Sequence, residues 1–265
     1  MINEVKPYKY SIIQFISSLD YETPKEVIEK DPDCEYVLVT VDKRITSKTW
    51  KVIYDKELAD MACSPIEKMY IFRFIKLFSY LTTDICVIIT GAIEVKKPLT
   101  KLIDIFKDYE VCLMPHTVRS SIIDELRVWV ISRGYPIENM NRFINMMKTS
   151  NFPFDYKGLF ACTFLIERND KICNDLRRMV FSFMKYLSPN NEIDRIDQTV
   201  YSYLIWYYFR GIKILPVSEQ VIHSDYLQQY QHKSNVKHIG QIFNDLNKPD
   251  IKWMLNKQVE CLYLK

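Results

Sequence analysis

The chain has 265 residues, 48% hydrophobic and 26% charged, a composition that excludes a disordered or collagen-like protein. Lys and Arg number 36 against 33 Asp and Glu, and this formal net charge of +3 is too mild to point to nucleic acid. Only 5 glycines are present, and neither G-x-G-x-x-G nor G-x-x-x-x-G-K-[ST] occurs, which argues against P-loop and dinucleotide-fingerprint enzymes.

Tyr10–Ile16 is apolar and rich in β-branched residues, and predicts a first strand. Pro24 and Lys25 open an expected short helix through Ile28, stopped before Pro32. Tyr36–Val41 predicts a buried strand ending at Asp42-Lys43-Arg44, and Trp50–Tyr54 a third. From Pro65 onward Ile66, Met69, Tyr70, Phe74, Leu77, Phe78 and Leu81 recur at helical spacing. Ile85–Ile89 reads as a strand running into Thr90-Gly91, with Ile93–Val95 continuing it. A helix is expected from Pro98 through Phe106, then a strand over Glu110–Met114 ending at Pro115-His116. Ser121–Arg133 and Ile137–Lys148 predict two helices split by Gly134-Tyr135-Pro136. Pro153–Gly158 is a loop and Phe160–Glu167 a strand. Lys171–Leu187 is an amphipathic helix, Asp194–Phe209 another helix, and Lys213–Val217 a late strand. Residues 1–217 are expected as one domain, with 218–265 a polar tail packed on it.

Strand–helix alternation with continuously apolar strands predicts the α/β class, with a mostly parallel central sheet flanked by helices on both faces. Such sheets bind ligands beyond the carboxyl ends of their strands. The polar residues expected there are Asp42, Lys43 and Arg44, Thr90 and Gly91, His116 and Arg119, and the Glu167-Arg168 pair. The seven cysteines are odd in number and lack a C-x-x-C pair, so they read as reduced, buried thiols. No stretch approaches the ~20 apolar residues of a membrane span. Met1–Pro7 lacks a charged-then-apolar leader pattern, and a cytoplasmic protein is expected, with peripheral membrane association left open.

Four motifs stand in order along roughly residues 35 to 205. The basic helix Glu67–Lys76 leads into Thr83-Asp84-Ile85-Cys86-Val87-Ile88-Ile89-Thr90-Gly91-Ala92-Ile93-Glu94-Val95. His116-Thr117-Val118-Arg119 precedes Ser120–Glu125. Gly158-Leu159 opens the strand toward Arg168, and Asp194-Arg195-Ile196-Asp197-Gln198 starts a helix. They are similar to the patterns "D-Y-x-I-W-I-D-G-x-I-x-I", "H-P-x-R-x-x-I-Y-x-E", "G-L … R" and "R-D-Q" of glycosyltransferases with the Rossmann-like GT-A fold. The resemblance is to the group related to the domain of unknown function 616 and to capsular and surface-polysaccharide transferases.

That resemblance implies a transferase, hexosyl or pentosyl, that moves a sugar from a nucleotide-diphosphate donor to a glycan acceptor in polysaccharide or glycoprotein-glycan biosynthesis. The alternative is a catalytically inactive binding or scaffold subunit of the same fold. Nucleic acid is not an expected partner. The family implies a Mn²⁺ or Mg²⁺ ion that bridges the donor's diphosphate and is held by an acid. Here Thr90 occupies that acid's place, so the chain lacks the usual metal-binding Asp, and metal independence is the competing expectation. Without a metal, lysine and arginine must meet the departing phosphate.

Glycosyl transfer needs a base for the acceptor hydroxyl, and Asp197 is the first candidate and Glu125 the second. Donor binding falls to Asp42, Lys68, Arg73, Thr90 and Gly91. Sugar or acceptor binding falls to His116, Arg119, Arg168 and Gln198, and Arg195 is a further cation. Each has a plain alternative: a turn-forming Asp42, solvated helix charges at Lys68 and Arg73, a helix cap at Asp197, or a salt-bridge network among His116, Arg119 and Glu125. His223, His232 and His238 match no ligand spacing, and the Tyr201–Tyr208 aromatic stripe reads as core.

Overall fold

Cys34–Thr40 (CEYVLVT) is buried at every residue, as a continuous β-branched run in the middle of a doubly covered sheet must be. The computed structural model describes residues 8–116, 119–133, 135–188, 196–209 and 211–230. In chain order come β1 (Tyr10–Ile16), β2 (Cys34–Thr40), β3 (Lys51–Tyr54), α1 (Lys56–Asp60) and α2 (Pro65–Tyr70). A π-helical segment Ile71–Lys76 and a 3-10 turn Leu77–Tyr80 lead to β4 (Ile85–Ile89) and β5 (Ile93–Val95). Then follow α3 (Thr100–Asp104), β6 (Val111–Pro115), α4 (Ile122–Arg133), α5 (Ile137–Thr149) and β7 (Phe160–Arg168). Last come α6 (Lys171–Leu187), α7 (Asp197–Tyr207), β8 (Ile214–Pro216), a 3-10 turn Glu219–Ile222 and β9 (Leu227–Gln229).

Seven strands form the central sheet in the order β3-β2-β1-β4-β7-β6-β8, and β5 pairs with β9 in a separate two-stranded sheet. Every neighbouring pair in the large sheet is parallel except the two made by β7. Side-chain alternation divides the core into two layers. Ile13, Val37, Val39, Cys86, Ile88 and Leu165 face the layer built by α2, the π segment and α4–α7. Ile12, Leu38, Val87, Ile89 and Ile166 face the other layer, where α3, the small sheet and the loop residues Val27, Ile45 and Trp50 pack. The mostly parallel α/β class expected from the sequence is the class observed. Among the described residues no helix is long and apolar enough to cross a membrane.

Three expectations are corrected. Pro24–Ile28 is not helical. The Glu26 carboxylate instead accepts hydrogen bonds from Ser47 Oγ at 2.6 Å and from the Lys48 and Thr49 amides, each at 3.0 Å. Trp50 Nε1 donates to the Lys25 carbonyl at 2.8 Å, and Ile28 N donates to the Val95 carbonyl at 2.9 Å. These tertiary bonds hold the segment extended and outweigh one turn of helix, whose nucleation is costly. Second, Ile93–Val95 does not continue β4. The chain turns at Thr90–Ile93, closed by Ile93 N donating to the Thr90 carbonyl at 3.0 Å, and Ile93–Val95 pairs with Leu227–Gln229 instead.

Third, the helix expected from Pro65 to Leu81 is α-helical only to Tyr70, then π-helical, then 3-10. The widened turn buries Phe72, Arg73 and Phe74 together. The late helix begins at Asp197 in the described chain, and its expected first residues Asp194 and Arg195 lie outside the described residues, as do His232 and His238. Of the segment 218–265, residues to 230 are described, and Ile222 and Leu227 are buried in the second core layer.

Candidate functional site

The direction of the strands sets where polar side chains can converge. The ends of β1, β2, β4 and β6 and the beginning of β7 share one edge of the sheet. Between Leu113 and Met114 the register against β7 jumps from Leu165 to Ala161, so residues 162–164 have no partner on β6, although Phe164 still pairs with Ile89 of β4. Such bulges at a sheet edge re-aim neighbouring groups. The Cys162 carbonyl accepts from Arg73 Nη1 at 3.4 Å, and the Thr163 carbonyl accepts from Thr90 N at 3.3 Å.

Two predicted residues 124 positions apart meet here. Arg73 Nη1 lies 3.3 Å from Asp197 Oδ2, and Tyr70 OH donates to Asp197 Oδ1 at 3.1 Å. Arg73 is 7% exposed and Asp197 8%. Arg73 Nε and Nη2 are buried and have no acceptor among the described residues. Thr90 Oγ1 and Gln198 Oε1 are buried and unpartnered in the same sense. Cys86 and Ile88 face the helical layer, so Thr90, two residues on, lies on that same face. Ile196, the N-cap of α7, supplies no side-chain hydrogen bond.

Gly91 permits a close approach to the end of β1 and the loop that follows it. A Cβ there would lie 2.9 Å from Ile16 Cγ1 and 3.0 Å from Glu22 Cγ. Along the same edge, His116 N donates to the Leu159 carbonyl at 2.9 Å and Phe160 N donates to Ser202 Oγ at 3.0 Å. Ser202 Oγ donates in turn to the Gln198 carbonyl at 2.7 Å. The first turns of α7 are thus tied to the His116 loop.

His116, Arg119 and Glu125 converge, as the sequence predicted, and they consume one another. Arg119 Nε bonds Glu125 Oε2, Trp129 Nε1 donates to Glu125 Oε1 at 2.9 Å, and Arg119 Nη2 lies 2.9 Å from His116 Nε2. A guanidinium can only donate, so Nε2 of a neutral imidazole is the acceptor. Burial, joined by the Arg119 charge, pushes the His116 pKa down to about 4.

The other predicted residues lie apart from these two clusters. Asp42, just past the tip of β2, accepts from Leu19 N at 3.1 Å and from Arg44 Nη2 at 2.7 Å, and Arg44 also reaches Asp20 at 2.8 Å. The Arg44 hydrogen bonds hold the Asp42 carboxyl well below the usual carboxylate range. Lys68 Nζ donates to the Ala59 carbonyl at 2.5 Å and so caps the last turn of α1. Arg168 is a correction: β7 is antiparallel, so Arg168 pairs with Ile85, at the beginning of β4. At roughly 3.3 Å per residue this nine-residue strand places Arg168 on the order of 25 Å from its start. There Arg168 Nη2 donates to the Lys107 carbonyl at 2.6 Å. Its neighbour Glu167 is buried against Arg177 Nη1 at 2.8 Å and Tyr201 OH at 2.8 Å.

The sequence reading missed Tyr70, Glu22 and the Cys162 carbonyl. Tyr70 looked like one more member of an apolar helical stripe, and Glu22 sits in a loop without pattern. A bulged carbonyl has no sequence signal. A cavity of about 500 Å³ opens on the opposite edge, lined by Lys30, Glu35, Tyr36 and Lys51 among others, and no predicted residue lines it.

No protein-family model and no curated relative matches the sequence. Among solved structures the chain is similar to mouse xyloside xylosyltransferase 1 in its apo form, at 7% identity and a TM-score of 0.41. That likeness covers 79% of this chain and 84% of that one.

Proposed function

We propose that the protein transfers a glycosyl group from a nucleotide-diphosphate sugar to a hydroxyl of a glycan, in polysaccharide or glycoprotein-glycan synthesis. The observation that carries this reading is the buried Arg73–Asp197 pair, bonded to the Cys162 carbonyl near the edge where such sheets bind ligands, with two guanidinium nitrogens left unpaired. The resemblance of the four sequence motifs supports it. In the reaction the bond from the anomeric carbon to the phosphate oxygen breaks. The bond from that carbon to the acceptor oxygen forms, the acceptor's proton passes to a base, and the nucleoside diphosphate leaves with the electron pair.

The same geometry recasts the two carboxylates. Asp197 accepts from Arg73 and Tyr70, and Glu125 from Arg119 and Trp129, so each oxygen of both already holds a donor. As placed, Asp197 positions a cation at the site and Glu125 holds the His116 loop. This favours a second reading, a domain that binds the donor without turning it over.

Incubation of the protein with a panel of nucleotide sugars, with and without oligosaccharide acceptors, separates the two. Release of nucleoside diphosphate that rises with acceptor is the result expected of a transferase. Binding without release assigns the protein to the second reading, and the absence of both overturns the proposal.

A further inference from the structure

Resting on that reading, we propose that the donor's diphosphate is held by the Arg73 guanidinium and the Thr90 hydroxyl directly, in place of a divalent metal. The described residues do not fit a metal. Among the described residues no group of three His, Cys, Asp or Glu side chains gathers to hold one. Thr90 stands where the resembled family has an acid. Asp197 is engaged by Arg73 and Tyr70, and Glu94, on β5, accepts from Tyr230 OH at 3.0 Å. A divalent cation set beside Arg73 would also meet a buried guanidinium charge at close range, where the low dielectric strengthens repulsion.

The donor chemistry of the same place suits an oxyanion. A guanidinium presents five N–H donors in a planar fork, and an Nε–H together with a terminal N–H grips two oxygens of one phosphate. Arg73 Nη1 is fixed by Asp197 and the Cys162 carbonyl, so the side chain is held while Nε and Nη2 stay unpaired. Each buried donor without an acceptor destabilises the fold. A phosphate oxygen removes that cost, and the Thr90 Oγ1 hydroxyl adds a further unpaired donor. Arg73 reaches this position from a π-helical turn, a backbone form frequent at functional sites. The unpaired Gln198 Oε1 supplies an acceptor for a sugar hydroxyl.

The test is thermal unfolding of the full chain with inorganic pyrophosphate, uridine diphosphate and a panel of nucleotide sugars, in EDTA and in Mn²⁺. The variants are Arg73→Gln and Thr90→Asp, each also melted without ligand. Thr90→Asp touches neither partner of the Arg73–Asp197 pair and puts a negative charge where the proposal places a diphosphate oxygen, so it serves if Arg73→Gln does not fold. The expected result is a shift in EDTA equal to that in Mn²⁺, with binding about 10- to 100-fold weaker in either variant. A shift in the wild type that needs Mn²⁺, or one unchanged in Thr90→Asp, overturns this inference and leaves the transferase reading standing. No shift with any nucleotide sugar, diphosphate or pyrophosphate overturns the transferase reading as well.

Discussion

At the scale of single residues, Asp197 carries the most weight. It is an anion buried against one arginine and one tyrosine, and removing one partner of a buried pair leaves an uncompensated charge. Asp197→Asn is expected to lower stability by on the order of 3 kcal/mol in urea unfolding. If Asp197 positions Arg73, this variant weakens nucleotide binding together with turnover. A loss of turnover with binding intact would instead make Asp197 the base. His116 offers a second prediction at this scale. Its folded pKa of about 4 lies below the unfolded value of ~6.5, so the unfolded chain binds the proton first. The stability this group contributes is full above pH ~6.5 and is lost as the pH falls through about 4. Urea midpoints measured across that window should fall more steeply for the wild type than for His116→Gln, and parallel curves would contradict it.

At the scale of elements, the sequence is most legible where one element buries one uniform face. Tyr10–Ile16, Ile85–Ile89 and Lys171–Leu187 have the bounds predicted for them, because β-branched runs and an amphipathic stripe need no distant partner to be recognised. The direction of β7 was not legible, since its apolar run reads the same either way. Its cause is the connection: α4 and α5 return the chain to the edge it left at Pro115, so β7 must run back against β6. That one fact moves Arg168 to the far edge and brings Cys162 and Thr163 to the near one. The Pro24–Ile28 segment fails as a helix because the partners of Glu26 lie more than 20 positions away. Burial opposes ionisation of Glu26, but the hydrogen bonds from Ser47, Thr49 and Lys48 outweigh it and hold its pKa down to about 2. The tether is therefore complete above pH ~4.3 and is lost as the pH falls toward 2. Glu26→Ala should raise amide exchange across residues 24–28 and 47–50 at neutral pH, and unchanged protection there would refute the tether. The turn after β4 is equally specific. Gly91→Ala forces a Cβ against Ile16 and Glu22 and should cost about 1–3 kcal/mol, read as a lower urea midpoint.

At the scale of the whole molecule, the two edges of the sheet have different characters. One closes on buried Glu167, Arg177 and Tyr201, where each oxygen of the Glu167 carboxylate accepts a hydrogen bond. The other holds Arg73, Thr90 and Gln198 with polar atoms unpaired, beside Gly91 and the start of α7. The sequence nominated Arg73, Thr90 and Asp197 one at a time from motif resemblance, but it could not show that they share a face. That depends on the fold bringing Arg73 and Asp197 together across 124 positions and on the strand alternation of Thr90. The central claim is that ligand binds at this edge. Amide hydrogen exchange on the wild type, with and without the nucleotide sugar that stabilises it most, tests this directly. The account predicts added protection at residues 88–93, 160–164 and 196–200. Protection confined to the opposite edge, around Glu35, Tyr36 and Lys51, would contradict it.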